Sequence, residues 1–318
     1  MSSRWEGFIG VGQTLSTDVL TDAYYVAVEN CGMEHTAEIE RSDTAQGDQE
    51  YHRETKLMED IAGNIELAVD RESIGYFLKY LIGDAGSPTG SGPYTHTFSL
   101  QDAMEEFYVR RKMGTAEDKV WGKCKINQGT FTAAQAQKLM ASFDVVGYGV
   151  VDAGTHSAPS FTDITVQPFV FKQLDFYLDD HSTWPPTTEQ VSFESFECVV
   201  NRNLVTDKRT ANNSYLPSGL PEGKREISGS FTLEYENSDL YDDLLNEQEL
   251  MMFAQFTDGA NSLTLKFPRV RLTSHDRGAE VGGGNDRNVA TVEWDALYDA
   301  TETYSMQAVL TNQKSSAY

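Results

Sequence analysis

DIAGNIELAVD, residues 60–70, is echoed far down the chain by EISGSFTLEYE, residues 226–236. Laid together without a gap, Ile61 falls on Ile227, Gly63 on Gly229, Ile65 on Phe231 and Leu67 on Leu233. Apolar residues two apart mark a half-buried strand. Alternation alone is common to all such strands, so the weight comes from the helix downstream of each copy. RESIGYFLKYLIG, residues 71–83, sets Ile74, Phe77, Leu78 and Leu81 on one helical face, with Gly83 as the stop. NSDLYDDLLNEQELMMF, residues 237–253, predicts a second helix, capped by Asn237 or Ser238 and buried through Leu240, Leu244 and Leu245. In the same register Ile74 falls on Leu240 and Leu78 on Leu244. After a deletion in the second copy, Phe143-Asp144 aligns with Trp294-Asp295. A shared strand, glycine and helix predict an internal duplication.

The 318 residues leave room for two domains of roughly 100–200 residues each. The expected division is a polar N-terminal arm over residues 1–22, a first unit over 23–150, a linker over 151–163 and a second unit over 164–318. Each unit reads as mainly β with one flanking helix. The order is strand, long polar loop, glycine-centred strand, helix, turn, further strands and a closing strand. Strands are expected in 23–41, 94–100, 105–113, 119–131 and 139–149, then in 169–180, 191–200, 261–274 and 289–300. Pro268 belongs at an edge or a bulge. No run approaches the ~20 apolar residues that span a bilayer, and MSSRWEGFIG lacks the apolar segment of a secretory signal.

Acidic residues number 49 against 25 basic, for a net charge of −24. Such a balance repels phosphate and acidic headgroups at long range. It fits a surface kept hydrated in a very salty cytoplasm, where salt screens the repulsion, or simply an acidic protein, and composition leaves both open. Cys31, Cys124 and Cys198 lie far apart, which predicts buried reduced thiols rather than a disulfide framework.

No catalytic or cofactor motif emerges. His35, His52, His96, His156, His181 and His275 are scattered without zinc-site spacing, and His96 is expected on the polar side of its strand. AEVGGGND, residues 279–286, reads as a flexible turn rather than a phosphate cradle. DFYLDDHS reads as a solvated acidic turn, with Asp175, Asp179 and Asp180 as candidate ligands of a loosely held divalent ion. Asn212-Asn213-Ser214 is a glycosylation sequon, which assembly in a cytoplasm would leave unused. Met251-Met252-Phe253 reads as core at the end of the second helix.

The run from FECVVNRNLVTDKRTANNSYLPSGLPEGKREISGSFTLEYENSDLYDDLLN to NSLTLKFPRVRLT resembles the tail tube proteins of tailed phages and related archaeal viruses. GNIELAVDRESIGYFLKYLIG with THTFSL resembles the first half of the longer, duplicated members, and the likeness covers most of 23–310. EEFYVRRKMGTAEDKVWG and the acidic excess lie outside that pattern. The resemblance implies two tandem β-sandwich or half-barrel domains, each with a helix on its flank. It implies a structural virion protein of the tail, assembled in the host cytoplasm, with no catalysis, cofactor or membrane. Its partners would be itself, other tail proteins at the tube ends, and viral DNA passing through the lumen without tight binding. With two domains per chain, three chains make a pseudo-six-fold ring, and a ring of six chains is the second choice. Rings stack axially through the polar loop before each glycine-centred strand. That role falls to Arg41, Asp43, Asp48, Glu50, Arg53 and Lys56 in the first loop. In the second it falls to Asp207, Lys208, Arg209, Asn213, Tyr215 and Lys224. The rival reading is a β-sandwich tail component that binds a receptor or glycan, with Trp184 in STWPPTT as its displayed aromatic.

Overall fold

In the computed structural model, long antiparallel strands carry almost all of the core. It describes residues 7–13, 15–16, 19–20, 24–42, 50–51, 53–114, 117–149, 151–152, 166–182, 184–188, 190, 192–211, 214–234, 238–277 and 288–318. Before the first helix come β1 (Gly7–Gly12), β2 (Leu15–Ser16), β3 (Val19–Leu20), β4 (Tyr24–Val26), β5 (Asn30–Cys31), β6 (Glu34–Arg41) and β7 (Glu54–Ala68). After α1 (Ile74–Leu81) follow β8 (Tyr94–Ser99), β9 (Phe107–Met113), β10 (Glu117–Ala134), β11 (Met140–Gly147) and β12 (Val151–Asp152). The remainder is β13 (Leu174–Asp180), β14 (Phe193–Asn201), β15 (Glu226–Glu234), α2 (Asp239–Leu245), β16 (Glu249–Asp258), β17 (Asn261–Arg277), β18 (Val289–Ala296) and β19 (Gln307–Asn312).

One set of pairings occurs twice. In the first half β1 pairs β9, β9 pairs β10, β10 pairs β11, β11 pairs β7, and β7 pairs β5 and β6. In the second half β13 pairs β16, β16 pairs β17, β17 pairs β18, β18 pairs β15, and β15 pairs β14. Every one of these pairings is antiparallel. The irregularities repeat as well. Between Trp121 and Cys124, β10 carries one residue more than β9 opposite it, and β17 carries one more than β16 between Phe267 and Val270. One residue is extra in β10 between Ile126 and Gln128, and one in β17 between Leu272 and Ser274. A bulge bends its strand and re-aims the chain. Both long strands thus serve two sheets, one ahead of the bends and one beyond them.

The echoed strands lie at matching places, each between the strand before it and the closing strand. Ile61, Ile65 and Leu67 are buried, as are Ile227 and Phe231, while Leu233 packs at the margin. Beyond the bends, β5/β6–β7–β11–β10–β14–β15–β18–β17 is one continuous sheet, because β10 and β14 pair from Gln128↔Asn201 to Ala134↔Ser195. Helix α1 lies over its inner face, with Phe77 stacked on Phe143 at 4.7 Å. Gly129 makes room for Leu81 there, since a Cβ at Gly129 would collide with that side chain. Helix α2 lies over β17, where Tyr241 meets His275 edge-on at 5.8 Å. The two halves also interlock through β19, which pairs with both β17 and β8.

Several elements differ from the sequence reading. Residues 7–12 are not a polar arm but β1, whose Ile9 and Val11 are buried between β4 and β9. Three glycines in GFIGVG dilute the apolar signal there. The second helix stops at Leu245, which is 62 % exposed rather than part of a buried stripe. Glu247 turns the chain with φ 54°, and Met251-Met252-Phe253 lies within β16. A continuous apolar run cannot be assigned to helix or strand by period alone. The expected strand over 169–180 begins only at Leu174, after a turn of 3-10 helix at Phe171–Gln173. Hydrogen bonding sets Val145 opposite Gly63 and Trp294 opposite Gly229, so Trp294 matches Val145 rather than Phe143. A slip of two residues keeps each side chain on its face, so alternation is blind to it. Pro268 does lie at a bulge.

Candidate assembly surfaces

Strand register carries mostly polar side chains across the outer face of the continuous sheet. One row runs Asn30–Glu66–Ser142–Thr130–Val199–Ser228–Asp295–Arg271, each residue directly opposite the next. A second runs Met140–Thr132–Glu197–Ser230–Glu293–Ser274, and a third Asn64–Asp144–Gln128–Asn201–Glu226. Shifted by one residue, Ile65–Phe143–Gly129–Val200–Ile227 points to the core instead. The face is therefore mostly hydroxyl, amide and carboxylate, with Val199 and Met140 as its apolar members on these rows. Arg271, the cation on these rows, is ion-paired with Glu247 at 2.5 Å.

Both margins of this sheet are open. Strands β5 and β6 pair with β7 on one side and with no strand on the other among the described residues. Beyond its bulge, β17 pairs with β18 and, again among the described residues, with no strand across from it. Open margins are templates for pairing with another chain.

The hairpin of β6 and β7 projects past the sheet. Among the described residues, Ile61–Ala68 of β7 pairs with β11, while the strand partner of the seven residues Glu54–Asp60 is β6, a reach of about 23 Å at ~3.3 Å per residue. All of β6 is exposed. Arg41 and Glu54 tie its tip at 2.9 Å. Onto this hairpin folds the loop that precedes β15. Arg209 donates to Asp60 Oδ1 at 2.6 Å and to the Glu59 carbonyl at 3.2 Å, and the Tyr215 carbonyl accepts from Glu59 N–H at 3.1 Å. The Lys56 ammonium sits over the Tyr215 ring at 4.5 Å. Lys56, Arg209 and Tyr215, expected on two separate loops, thus meet in one chain. Ile39, Tyr51, Leu57 and Tyr215 stay exposed on the hairpin and the loop folded onto it. Lys208 and Lys224 accept local hydrogen bonds at their carbonyls, from Ser218 and Asn203. The Arg53 carbonyl accepts from Ser42, and Glu50 and Asp207 are exposed. Asp43, Asp48, His52, His156, Asn212, Asn213 and AEVGGGND lie outside the described residues.

The root of the second loop holds a charge cluster that sequence reasoning missed. Arg202 is fully buried and donates to Glu222 Oε2 at 2.8 Å and to the Gln101 carbonyl at 2.8 Å. Glu222 Oε1 accepts from Lys125 at 3.0 Å and from Met104 N–H at 2.8 Å. Burial alone raises the Glu222 carboxyl, but the Met104 amide, Lys125 and Arg202 outweigh it and hold the group below the ordinary glutamate value. The partners lie on both sides of the β10–β14 seam, far apart in sequence, so no spacing signals them.

The other candidates do not converge. Asp175, Asp179 and Asp180 spread along β13, and Asp179 Oδ2 is occupied by the amides of Thr187 and Thr188, the latter at 2.9 Å. No group of three or more His, Cys, Asp or Glu is placed to hold a metal among the described residues. His96 is interior rather than on the polar side, donating from Nε2 to the Lys314 carbonyl at 3.0 Å and facing Tyr318. Burial lowers its pKa. His35 lies 3.4 Å from Glu59, and His181 lies 2.6 Å from Asp299. Cys31, Cys124 and Cys198 are free, and burial pushes the thiols of all three up. Trp184 meets Phe253 edge-on at 4.8 Å and is packed rather than displayed.

The family model described as "Phage tail tube protein" matches residues 7–296. The chain belongs to the phage tail tube protein family. This tail tube protein is therefore a structural component of a viral tail, of a family that is not one of enzymes. None of the curated proteins matches it. Among solved structures, a chain from "Cryo-EM structure of the anti-feeding prophage (AFP) baseplate, 6-fold symmetrised" is similar at 10 % identity and a TM-score of 0.30. It covers 43 % of the tail tube protein and 91 % of that chain. No helix among the described residues is long and apolar enough to cross a membrane.

Proposed function

We propose that the chain is two copies of one tube-forming unit, β1 to β11 and β13 to β18, joined by the segment that includes 151–163. Three chains close into a pseudo-six-fold ring, and rings stack axially into the conduit through which viral DNA leaves the capsid. A ring of six chains is the alternative geometry. Other tail proteins cap the tube ends, and assembly takes place in the host cytoplasm.

The observation that carries this reading is the continuous outer face, polar and acidic across both halves and open at both margins. Curled into a ring, that face becomes the lumen wall. Phosphates bind proteins by displacing counterions onto Lys and Arg, so a wall of Glu, Asp, Ser and Thr leaves DNA unbound and mobile. Closing the ring pairs the sheet margins, and a contact between two different patches closes into a ring by rotation. The β6–β7 hairpin, with the Arg209–Tyr215 loop folded onto it, makes the axial contact. Carboxylates elsewhere on the surface keep it hydrated in a salty cytoplasm.

Electron microscopy of the purified full-length chain tests the proposal. Rings or tubes are expected, with three chains per ring and Glu197, Glu226 and Glu293 on the inner wall. Monomers at every salt concentration would overturn it, as would an inner wall formed by the helices.

A further inference from the structure

The internal β10–β14 seam supplies a template for the seam between chains, and it fixes a register. This inference rests on the ring proposed above. The matched bulges set Ile126 and Leu272 at one position, so Gln128 corresponds to Ser274 and Thr130 to Asp276. Pairing to the glycine-centred strand sets Cys198, opposite Gly229, against Met33, next to Gly32, whose N–H donates to the Asn64 carbonyl at 2.8 Å. Val199 then corresponds to Glu34 and Asn201 to Thr36. The glycines agree with this independently. A Cβ on Gly63 would collide with the Gly32 carbonyl, and one on Gly229 with the Glu197 carbonyl.

We infer that β17 of one chain pairs antiparallel with β5/β6 of the next, with Asp276 opposite Glu34 and Ser274 opposite Thr36. These pairs copy Thr130 opposite Val199 and Gln128 opposite Asn201 inside the chain. The occupant of each open margin is a second copy of this chain, because the chain already contains the junction that the two margins would make. At its end the seam meets Arg111, whose Nη1 donates to the Met33 carbonyl at 2.7 Å. A carbonyl has two lone pairs, so Met33 accepts from Arg111 and from the incoming strand together. The seam places two carboxylates directly opposite one another, and like charges so placed oppose pairing. Salt shortens their reach, so closure of the ring strengthens with ionic strength.

Oxidative cross-linking of the full-length protein, in a Cys31→Ser background, tests the register. Directly opposed residues in an antiparallel pair lie within disulfide reach. Glu34→Cys with Asp276→Cys is expected to give covalent multimers from ring-containing samples, in a ladder that stops at three chains. Glu34→Cys with Ser274→Cys, out of register, is expected to give none. Thr130→Cys with Val199→Cys, placed across the internal seam, is expected to close within one chain and checks the chemistry. In parallel, Asp276→Asn is expected to shift ring formation to lower salt, with unchanged folding by circular dichroism. Rings on the grid and a closed internal control, but no Glu34–Asp276 link, would overturn the register alone. Equal linking out of register would do the same. A ladder running past three overturns the three-chain ring. Absence of rings overturns the functional reading itself.

Discussion

Gly63 and Gly229 are blocked by the same kind of atom: a Cβ on the first would collide with the carbonyl oxygen of Gly32, and on the second with that of Glu197. At each glycine the preceding segment leaves no room for a Cβ, so the echo in sequence is an echo in sterics. Alanine at either position forces the two backbones apart. Overpacking of this kind costs about 1–3 kcal/mol, and both Gly63→Ala and Gly229→Ala are expected to fall in that range in urea denaturation. Ala62→Gly, at an exposed place beside it, serves as the contrast and changes little beyond the ~0.5–1 kcal/mol of glycine's backbone freedom. A neutral Gly229→Ala would show that the strands give way easily there.

The Arg202–Glu222–Lys125 cluster ties the two halves at the root of the second loop. Removing one partner of a buried pair leaves an uncompensated charge, at about 3–5 kcal/mol. Glu222→Gln is expected to cost that much near neutral pH. Because the folded Glu222 titrates below its ordinary value of 4.5, its contribution is complete above that value and is lost as pH falls through the lower folded one. The stability gap between parent and Glu222→Gln should therefore narrow on acidification below about pH 4.5. A gap that stays constant down to the acid limit would remove the carboxylate from the account.

Legibility in the sequence tracks local repetition. Ile61, Gly63 and Ile65 alternate, α1 carries Ile74, Phe77, Leu78 and Leu81 on one face, and Pro268 marks its own bulge. Strand β1 escaped because its glycines supply backbone pairing without apolar bulk. The end of α2 escaped because GluLeuMetMetPhe suits either period. Relations between distant residues left no local trace. The β10–β14 seam, the buried Arg202–Glu222 pair and the interior position of His96 depend on pairing of strands tens of residues apart. The candidate loop residues were found by polarity, but that Arg209 would reach Asp60 of the same chain was set by the projecting hairpin.

The projecting hairpin gives a prediction for stacking. Ile39 is 57 % exposed and Tyr215 is 48 % exposed, and apolar groups grouped at such a tip mark an interaction surface. Ile39→Asp with Tyr215→Asp adds charge where the axial contact is proposed, and exposed substitutions typically alter stability by only about 0.5 kcal/mol. The expected product is soluble rings that do not lengthen into tubes, counted by electron microscopy. Tubes of ordinary length would move the axial contact elsewhere.

The polar face gives a prediction for passage of DNA. Glu197, Glu226 and Glu293 are exposed and come from three neighbouring strands, β14, β15 and β18. Reversing them to lysine converts a wall that repels phosphate into one that displaces counterions. Each lysine that neutralises a phosphate of duplex DNA adds about 0.9 to the slope of log affinity against log salt. The parent is expected to pass through a DNA column at about 0.15 M salt, where charges are screened beyond about 8 Å. Glu197→Lys/Glu226→Lys/Glu293→Lys is expected to be retained and to elute as salt rises. The same triple reversal on exposed acids of the hairpin, Glu38, Glu40 and Glu54, controls for net charge. Retention by the control alone would place the nucleic-acid path away from the sheet, and an inert wall variant would show that these carboxylates do not face the DNA.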